Sequence, residues 1–141
     1  MNARQITDTY HVSPQIEPGD AAILADQGFV RVICNRPDSE VPPALSAASV
    51  GEAVRAAGLE FEVLELTHQT MTPENVARQK QLADTAGGKV LAYCASGTRC
   101  SVIWALGQAG KMPTDDILAQ CQKAGYSLDA LRPTLDALSK A

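Results

Sequence analysis

The stretch Val90-Leu91-Ala92-Tyr93-Cys94-Ala95-Ser96-Gly97-Thr98-Arg99-Cys100-Ser101-Val102-Ile103-Trp104 decides how the rest of this 141-residue chain is read. An apolar, β-prone run leads to a cysteine, then to small residues around one glycine, then to an arginine and the start of a helix. That order predicts strand, tight loop and helix in succession. Small side chains and the freedom of Gly97 let the backbone N–H groups of Ala95, Ser96, Gly97 and Thr98 converge on one point. The helix that follows adds its unpaired N–H groups and the positive end of its dipole. Arg99 supplies a planar fork able to hold two oxygens of one ligand. Such surroundings move a thiol from about 8.5 into the range ~3.5–7.5. Cys94 is therefore expected to be a thiolate at neutral pH, and a nucleophile. The bland alternative is a buried structural cysteine at a strand end. Cysteine, glycine and arginine together at this spacing favour an active site over it.

Four residues separate Cys94 from Arg99. Cys-x-x-Gly-x-Arg, present here as Cys94, Gly97 and Arg99, is similar to the active-site loop of rhodanese-like sulfurtransferases. Protein tyrosine and dual-specificity phosphatases carry a longer loop, with one residue more between the two. The rest of the chain resembles the bacterial beta-lactamase-hydrolase-like family, whose domains have a dual-specificity-phosphatase-like fold. The resemblance rests on Ser13-Pro14-Gln15-Ile16, on Gly28-Phe29 through Val32-Ile33-Cys34-Asn35-Arg36-Pro37-Asp38, and on Leu91-Ala92-Tyr93-Cys94 through Trp104-Ala105-Leu106.

Composition bounds the remainder. With 45% hydrophobic residues and no internal repeat, residues 1–141 suit one domain with an ordinary core. A net charge of −4 argues against a general nucleic-acid surface, so no nucleic-acid partner is expected. Met1 to Thr9 is polar and does not resemble a signal peptide, and no apolar run approaches the ~20 residues of a membrane span. A soluble, cytoplasmic protein without a membrane partner is the expectation. Cys34, Cys94, Cys100 and Cys121 are scattered with no Cys-x-x-Cys pair, and only two histidines accompany them, so reduced thiols are expected rather than a metal site or disulfide scaffold.

In chain order, His11-Val12-Ser13 reads as a short strand. Glu17-Pro18-Gly19-Asp20 opens a helix with Ile23 and Leu24 toward the core, closed at Gly28. Phe29 to Cys34 is the next strand, followed by the polar turn Asn35-Arg36-Pro37-Asp38. Because α/β folds place ligands at strand ends, Arg36 and Asp38 either rim the site or serve the turn alone. Ser39 to Leu45 reads as a loop, Ser49 to Ala57 as a helix, and Leu59 to Leu66 as a strand with one wet face. Thr72-Pro73 starts a helix running to about Ala86. His68, just before it, is either an exposed loop histidine or a stand-in for the general-acid aspartate of dual-specificity phosphatases, since no aspartate lies between Asp38 and Asp84. Cys100 is either a small helix residue or a resolving thiol for Cys94. Trp104 packs as core or walls the pocket. Two further helices, from Pro113 and from about Arg132, look like cover for one sheet face.

The fold expectation is thus an α/β domain with a central sheet of about four mainly parallel strands and helices on both faces, which resembles the dual-specificity phosphatase fold. Sulfur transfer is the leading functional expectation. Cys94 would take the outer sulfur of a small-molecule donor such as thiosulfate or a persulfide, hold it as a persulfide, and pass it to cyanide or a thiol acceptor such as glutathione. Sulfite leaves as a stable anion, which suits a site without an acid. Phosphoester hydrolysis through a phosphocysteine is the alternative that the fold resemblance implies. Aryl or protein phosphoesters would be its substrates, and because an alkoxide wants a general acid worth ~10²–10⁴ in rate while a phenolate needs less, aryl phosphates would still be turned over, though slowly. A non-catalytic anion-binding module is the third reading. None of them calls for a cofactor.

Overall fold

In the computed structural model, which describes residues 1–140, the four runs read as strands all contribute to one sheet. Its strands are Arg4–Gln5 (β1), Tyr10–Ser13 (β2), Phe29–Cys34 (β3), Glu60–Val63 (β4) and Lys89–Tyr93 (β5), in the order β1-β2-β5-β3-β4. All neighbours are parallel except β1 and β2. The fifth strand, β1, gave no sequence signal, because two residues are too few to show alternation. A tight turn folds it back onto β2, with the Ile6 and Thr7 amides on the Tyr10 carbonyl.

Alternation along β5 divides the core. Val90, Ala92 and Cys94 face one apolar cluster, while Leu91 and Tyr93 face the other. The second face is covered by Ala21–Asp26 (α1) and Ala47–Ala56 (α2). The first is covered by Pro73–Asp84 (α3), Thr98–Gln108 (α4), Thr114–Lys123 (α5) and Arg132–Ser139 (α6). Sandwiched strands such as β5 read as continuous apolar runs for this reason.

Several element ends differ from expectation. Glu17 to Asp20 forms a 3₁₀ turn in which Glu17 and Asp20 cap each other reciprocally, and the α-helix proper is only six residues long. Ala21 and Leu24, three apart, supply its buried face, and Ile23 stays 43% exposed rather than facing the core. Asp38–Glu40 and Pro43–Leu45 are 3₁₀ turns within the expected loop. Ser46, whose hydroxyl accepts the Ser49 amide at 3.2 Å, starts α2 ahead of the expected point. The ladder of β4 ends at Val63, yet the amides of Leu64 and Leu66 still reach the carbonyls of Cys34 and Asn35, each at 2.9 Å. That segment is held against the end of β3 without being a strand. Pro133 lies in the first turn of α6, where its missing N–H costs nothing.

The C-terminal ends of β2, β3, β4 and β5 share one edge of the sheet, because the four strands are parallel. The loops leaving that edge build the site described next.

Candidate active site

Cys94 follows β5 directly and has no exposed surface. The Gly97 amide donates to its sulfur at 3.1 Å. Its thiol is brought down to about 5, first by the hydrogen bond from the Cys100 thiol; burial works in the opposite direction, and the amides of Cys100, Ser96 and Gly97 add to the lowering. The amides that act on the sulfur are thus those of Ser96, Gly97 and Cys100, a different set from the one expected. The Thr98 amide turns to the Ser96 hydroxyl at 3.3 Å, and Ala95 is not among the groups that lower the thiol. Cys100, a turn further on, takes their place.

Gly97 sits at φ 94°, just ahead of the first residue of α4, a conformation that side chains rarely adopt. A Cβ there would also run into the Tyr126 hydroxyl, which in turn donates to the Ser96 carbonyl at 2.9 Å. The loop is thus clamped from outside by Tyr126, three residues beyond the end of α5.

Arg99 is buried and reaches across the site. Its Nη1 and Nη2 donate to the two Glu40 carboxylate oxygens at 2.8 and 2.7 Å, and Nη1 also donates to the Leu66 carbonyl at 2.8 Å. A guanidinium has five N–H bonds. Three are used here, and the two left, on Nε and Nη2, lie along one edge. The Cys94 sulfur is close enough to the guanidinium to raise the pKa of Arg99, after the larger effect of Glu40. Glu40 is itself held below the usual carboxylate range, chiefly by Arg99 and with help from Arg36, whose Nε lies 3.2 Å from the same carboxylate.

A cleft of about 460 Å³ opens above this floor, lined by Glu40, Thr67, His68, Gln69, Ala95, Ser96, Thr98 and Arg99. His68 therefore stands at the cleft with the loop and Arg99. Arg36 touches the site only through Glu40, and also donates to the Gln15 side chain at 3.2 Å. Asp38 does not line the cleft. Its carboxylate accepts the Ala47 amide at 2.8 Å and so holds the start of α2, which is the turn reading of that residue. Cys100 is fully buried and acts on Cys94 through its thiol and its amide. Trp104 packs as core, stacked on Tyr10 with ring centroids 6.4 Å apart. Among the described residues, no group of three or more His, Cys, Asp or Glu side chains could hold a metal.

Three participants went unread in the sequence: Glu40, Tyr126 and the Leu66 carbonyl. Glu40 lies 59 residues from Arg99 and Tyr126 lies 30 from Ser96. A glutamate in a Pro-rich loop and a tyrosine after a helix carry no local mark of such a role. A buried polar chain supports the arrangement from below. The Cys100 carbonyl accepts from the Tyr10 hydroxyl at 2.8 Å, which accepts from Gln79 at 3.1 Å, which exchanges two bonds of 2.9 Å with Asn35, whose amide reaches the Leu64 carbonyl at 2.8 Å.

Sheet order, helices on both faces and a cysteine-arginine loop after the central strand define a phosphatase-like domain of the dual-specificity type. The chain belongs to the beta-lactamase hydrolase-like protein family, with residues 2–111 matching the phosphatase-like domain of that family. It is 29% identical over 143 residues to the beta-lactamase hydrolase-like protein of Agrobacterium fabrum (strain C58), covering 100% of this chain and 33% of that protein. The corresponding figures for the protein of Xylella fastidiosa (strain Temecula1) are 27% over 130 residues, covering 91% and 30%. The chain spans about a third of the length of these curated relatives. Among solved structures, a proposed phosphatase from Neisseria meningitidis Z2491 superposes with a TM-score of 0.88 at 34% identity, over 98% of this chain and 99% of that one. PTPMT1 superposes with a TM-score of 0.77 at 17% identity over 98% and 94%, a likeness of fold alone.

These relatives correct the leading functional expectation. They favour the phosphatase-like alternative over sulfur transfer, and nothing in them supports a sulfur donor or a glutathione acceptor. The short loop had carried the sulfur reading. Loop length is one local feature, whereas the shared fold extends over nearly the whole chain. No helix among the described residues is long and apolar enough to cross a membrane.

Proposed function

We propose that this domain hydrolyses phosphate monoesters through a phosphocysteine on Cys94, with aryl phosphates its best-served substrates. The observation that carries the reading is a thiol brought to about 5 next to a loop that lines a cleft, with Arg99 in the same lining and two of its N–H bonds not taken by Glu40 or Leu66. In the first step the Cys94 thiolate attacks phosphorus, the P–O ester bond breaks, and the leaving oxygen departs with the electron pair. In the second, water attacks phosphorus and loses a proton to solvent, the P–S bond breaks, and the thiolate returns. Arg99 neutralises charge on the phosphoryl oxygens through Nε and Nη2, while Glu40 fixes the plane of the guanidinium.

Proton supply sets the substrate class. Glu40 is held in its ionised form by two arginines and cannot donate at neutral pH. His68 is the remaining cleft side chain able to assist a leaving oxygen, and phenolates need that assistance least. The fold neighbours lend support: one structure of PTPMT1 holds PI(5)P and one of P. aeruginosa TpbA holds pTyr, both phosphate monoesters.

The test is acid quenching of the protein during aryl phosphate turnover, followed by mass spectrometry of the Cys94 peptide. A phosphoryl adduct on Cys94, absent in Cys94→Ser together with all turnover, is expected. A Cys94 persulfide formed from thiosulfate, with no aryl phosphate turnover, overturns the proposal in favour of sulfur transfer.

A further inference from the structure

We propose that the groove between α3, α4 and α6 is a second substrate subsite, taking the apolar tail of an amphiphilic phosphate monoester whose head lies at Cys94. The inference rests on the phosphoester reading above and names its substrate class. The groove encloses about 750 Å³, with Val102 and Leu106 of α4 as its floor and Met71, Val76, Leu131 and Leu138 on its sides. It is continuous with the candidate active site in two ways. His68 lines both the cleft and the groove. Along α4, Thr98 lines the cleft, and Val102 and Leu106 follow on the same face at four-residue intervals, roughly 6 and 12 Å further along the axis. A chain attached to a phosphate at the loop would run directly onto apolar side chains.

Charge and size select the occupant. Lys111 borders the groove, as does Lys80, whose ammonium is paired with Asp84 at 2.7 Å, and no described aspartate or glutamate lines the groove itself, although the chain as a whole carries a net charge of −4. An anionic amphiphile matches an apolar groove whose one charge free of an ion pair, among the described residues, is the Lys111 ammonium. The volume lies within the ~300–1,000 Å³ of small-molecule pockets. Leu138 is 45% exposed at the groove, a large apolar side chain that the core does not cover and a tail would.

The experiment is a series of para-alkylphenyl phosphates from methyl to octyl, used below their micellar concentrations. KM is measured with wild type, and calorimetric Kd with Cys94→Ser, which retains the groove but not the thiolate. Both constants are expected to fall by about two- to fourfold for each methylene the groove covers, with kcat little changed. Leu138→Glu, folded by its melting temperature, should flatten the series and leave turnover of unsubstituted phenyl phosphate as in wild type. A flat series in wild type and in Cys94→Ser, with phenyl phosphate still turned over, overturns the groove proposal alone. A series that keeps its full slope in Leu138→Glu also overturns it, because the tail then lies elsewhere. Binding to Cys94→Ser that tightens with chain length, without turnover of any member by wild type, supports the groove and sinks the hydrolytic reading instead.

Discussion

Cys94 owes its acidity to neighbours that donate to it rather than to a nearby positive charge alone, and the first of these is the Cys100 thiol. The thiolate absorbance of wild type minus Cys94→Ser is expected to titrate with a midpoint of about 5. Cys100→Ala should move that midpoint upward, and Cys100→Ser, which keeps a donor, should move it less. A midpoint in the ordinary thiol range of about 8.5 for wild type would refute the assignment. Cys121, pushed up to about 12 by burial, should contribute nothing at neutral pH. Arg99 makes a second argument at this scale. Its end is fixed on Glu40 and one edge is left over, so Arg99→Lys loses both the fixed plane and the paired donors. A fall in kcat/KM of about 10²-fold is expected for aryl phosphates, comparable to losing a donor to a developing oxyanion. Glu40→Gln should fall by less, mostly through KM, because a neutral amide still accepts one bond; unchanged kinetics in both variants would remove Arg99 from the reaction.

Among elements, the loop between β5 and α4 is shaped by what presses on it. Tyr126, which follows α5, donates to the Ser96 carbonyl and occupies the space above Gly97. Tyr126→Phe is expected to cost about 1 kcal/mol of stability, the usual net worth of a hydrogen bond, measured by urea unfolding. It should also slow turnover more than that figure suggests if the clamp sets loop geometry. The Tyr10–Gln79–Asn35 chain joins β2, α3 and β3 beneath the same loop. Gln79 is 1% exposed, so Gln79→Ala leaves an Asn35 partner without a bond in the core. A loss of roughly 1–3 kcal/mol for that orphaned group is the expectation, with the Cys94 thiol rising as α4 shifts. Stability equal to wild type would show that the chain has no such role.

For the molecule as a whole, the acidic cysteine becomes a pH dependence of stability. The folded thiol has a pKa of about 5, below that of the unfolded chain near about 8.5. Between those values the unfolded state binds the extra proton, so stability rises with pH. The contribution is complete above the unfolded value and is lost as pH falls through the folded one. Wild type should therefore gain on Cys94→Ser in ΔG of unfolding as pH rises from about 5, and the difference should become independent of pH below it. A difference that shrinks with rising pH would reverse the sign of the argument. The same scale explains why the relatives, and not the length of one loop, place the domain among phosphatase-like folds. The Neisseria meningitidis structure shares the fold over 98% of this chain, which a similarity confined to one loop cannot match.

The sequence by itself determined the strand, loop and helix around Cys94, the placement of β3, α2 and α3 to within a few residues, and the nearness of Cys94 to Arg99. These follow from alternation, caps and breakers, which act between residues close in the chain. It could not reveal β1, whose two residues have no periodicity, or show that the run after β4 leaves the ladder at Val63. Nor could it assign Asp38 to the start of α2 instead of the cleft. Only the tertiary structure decided which distant groups meet the loop. Parallel crossovers set β5 between β2 and β3, and that order carries Glu40, Leu66 and Tyr126 to a loop from which they are far removed in sequence. Contacts of that kind depend on the path of the whole chain through the sheet, and no local pattern of residues encodes them.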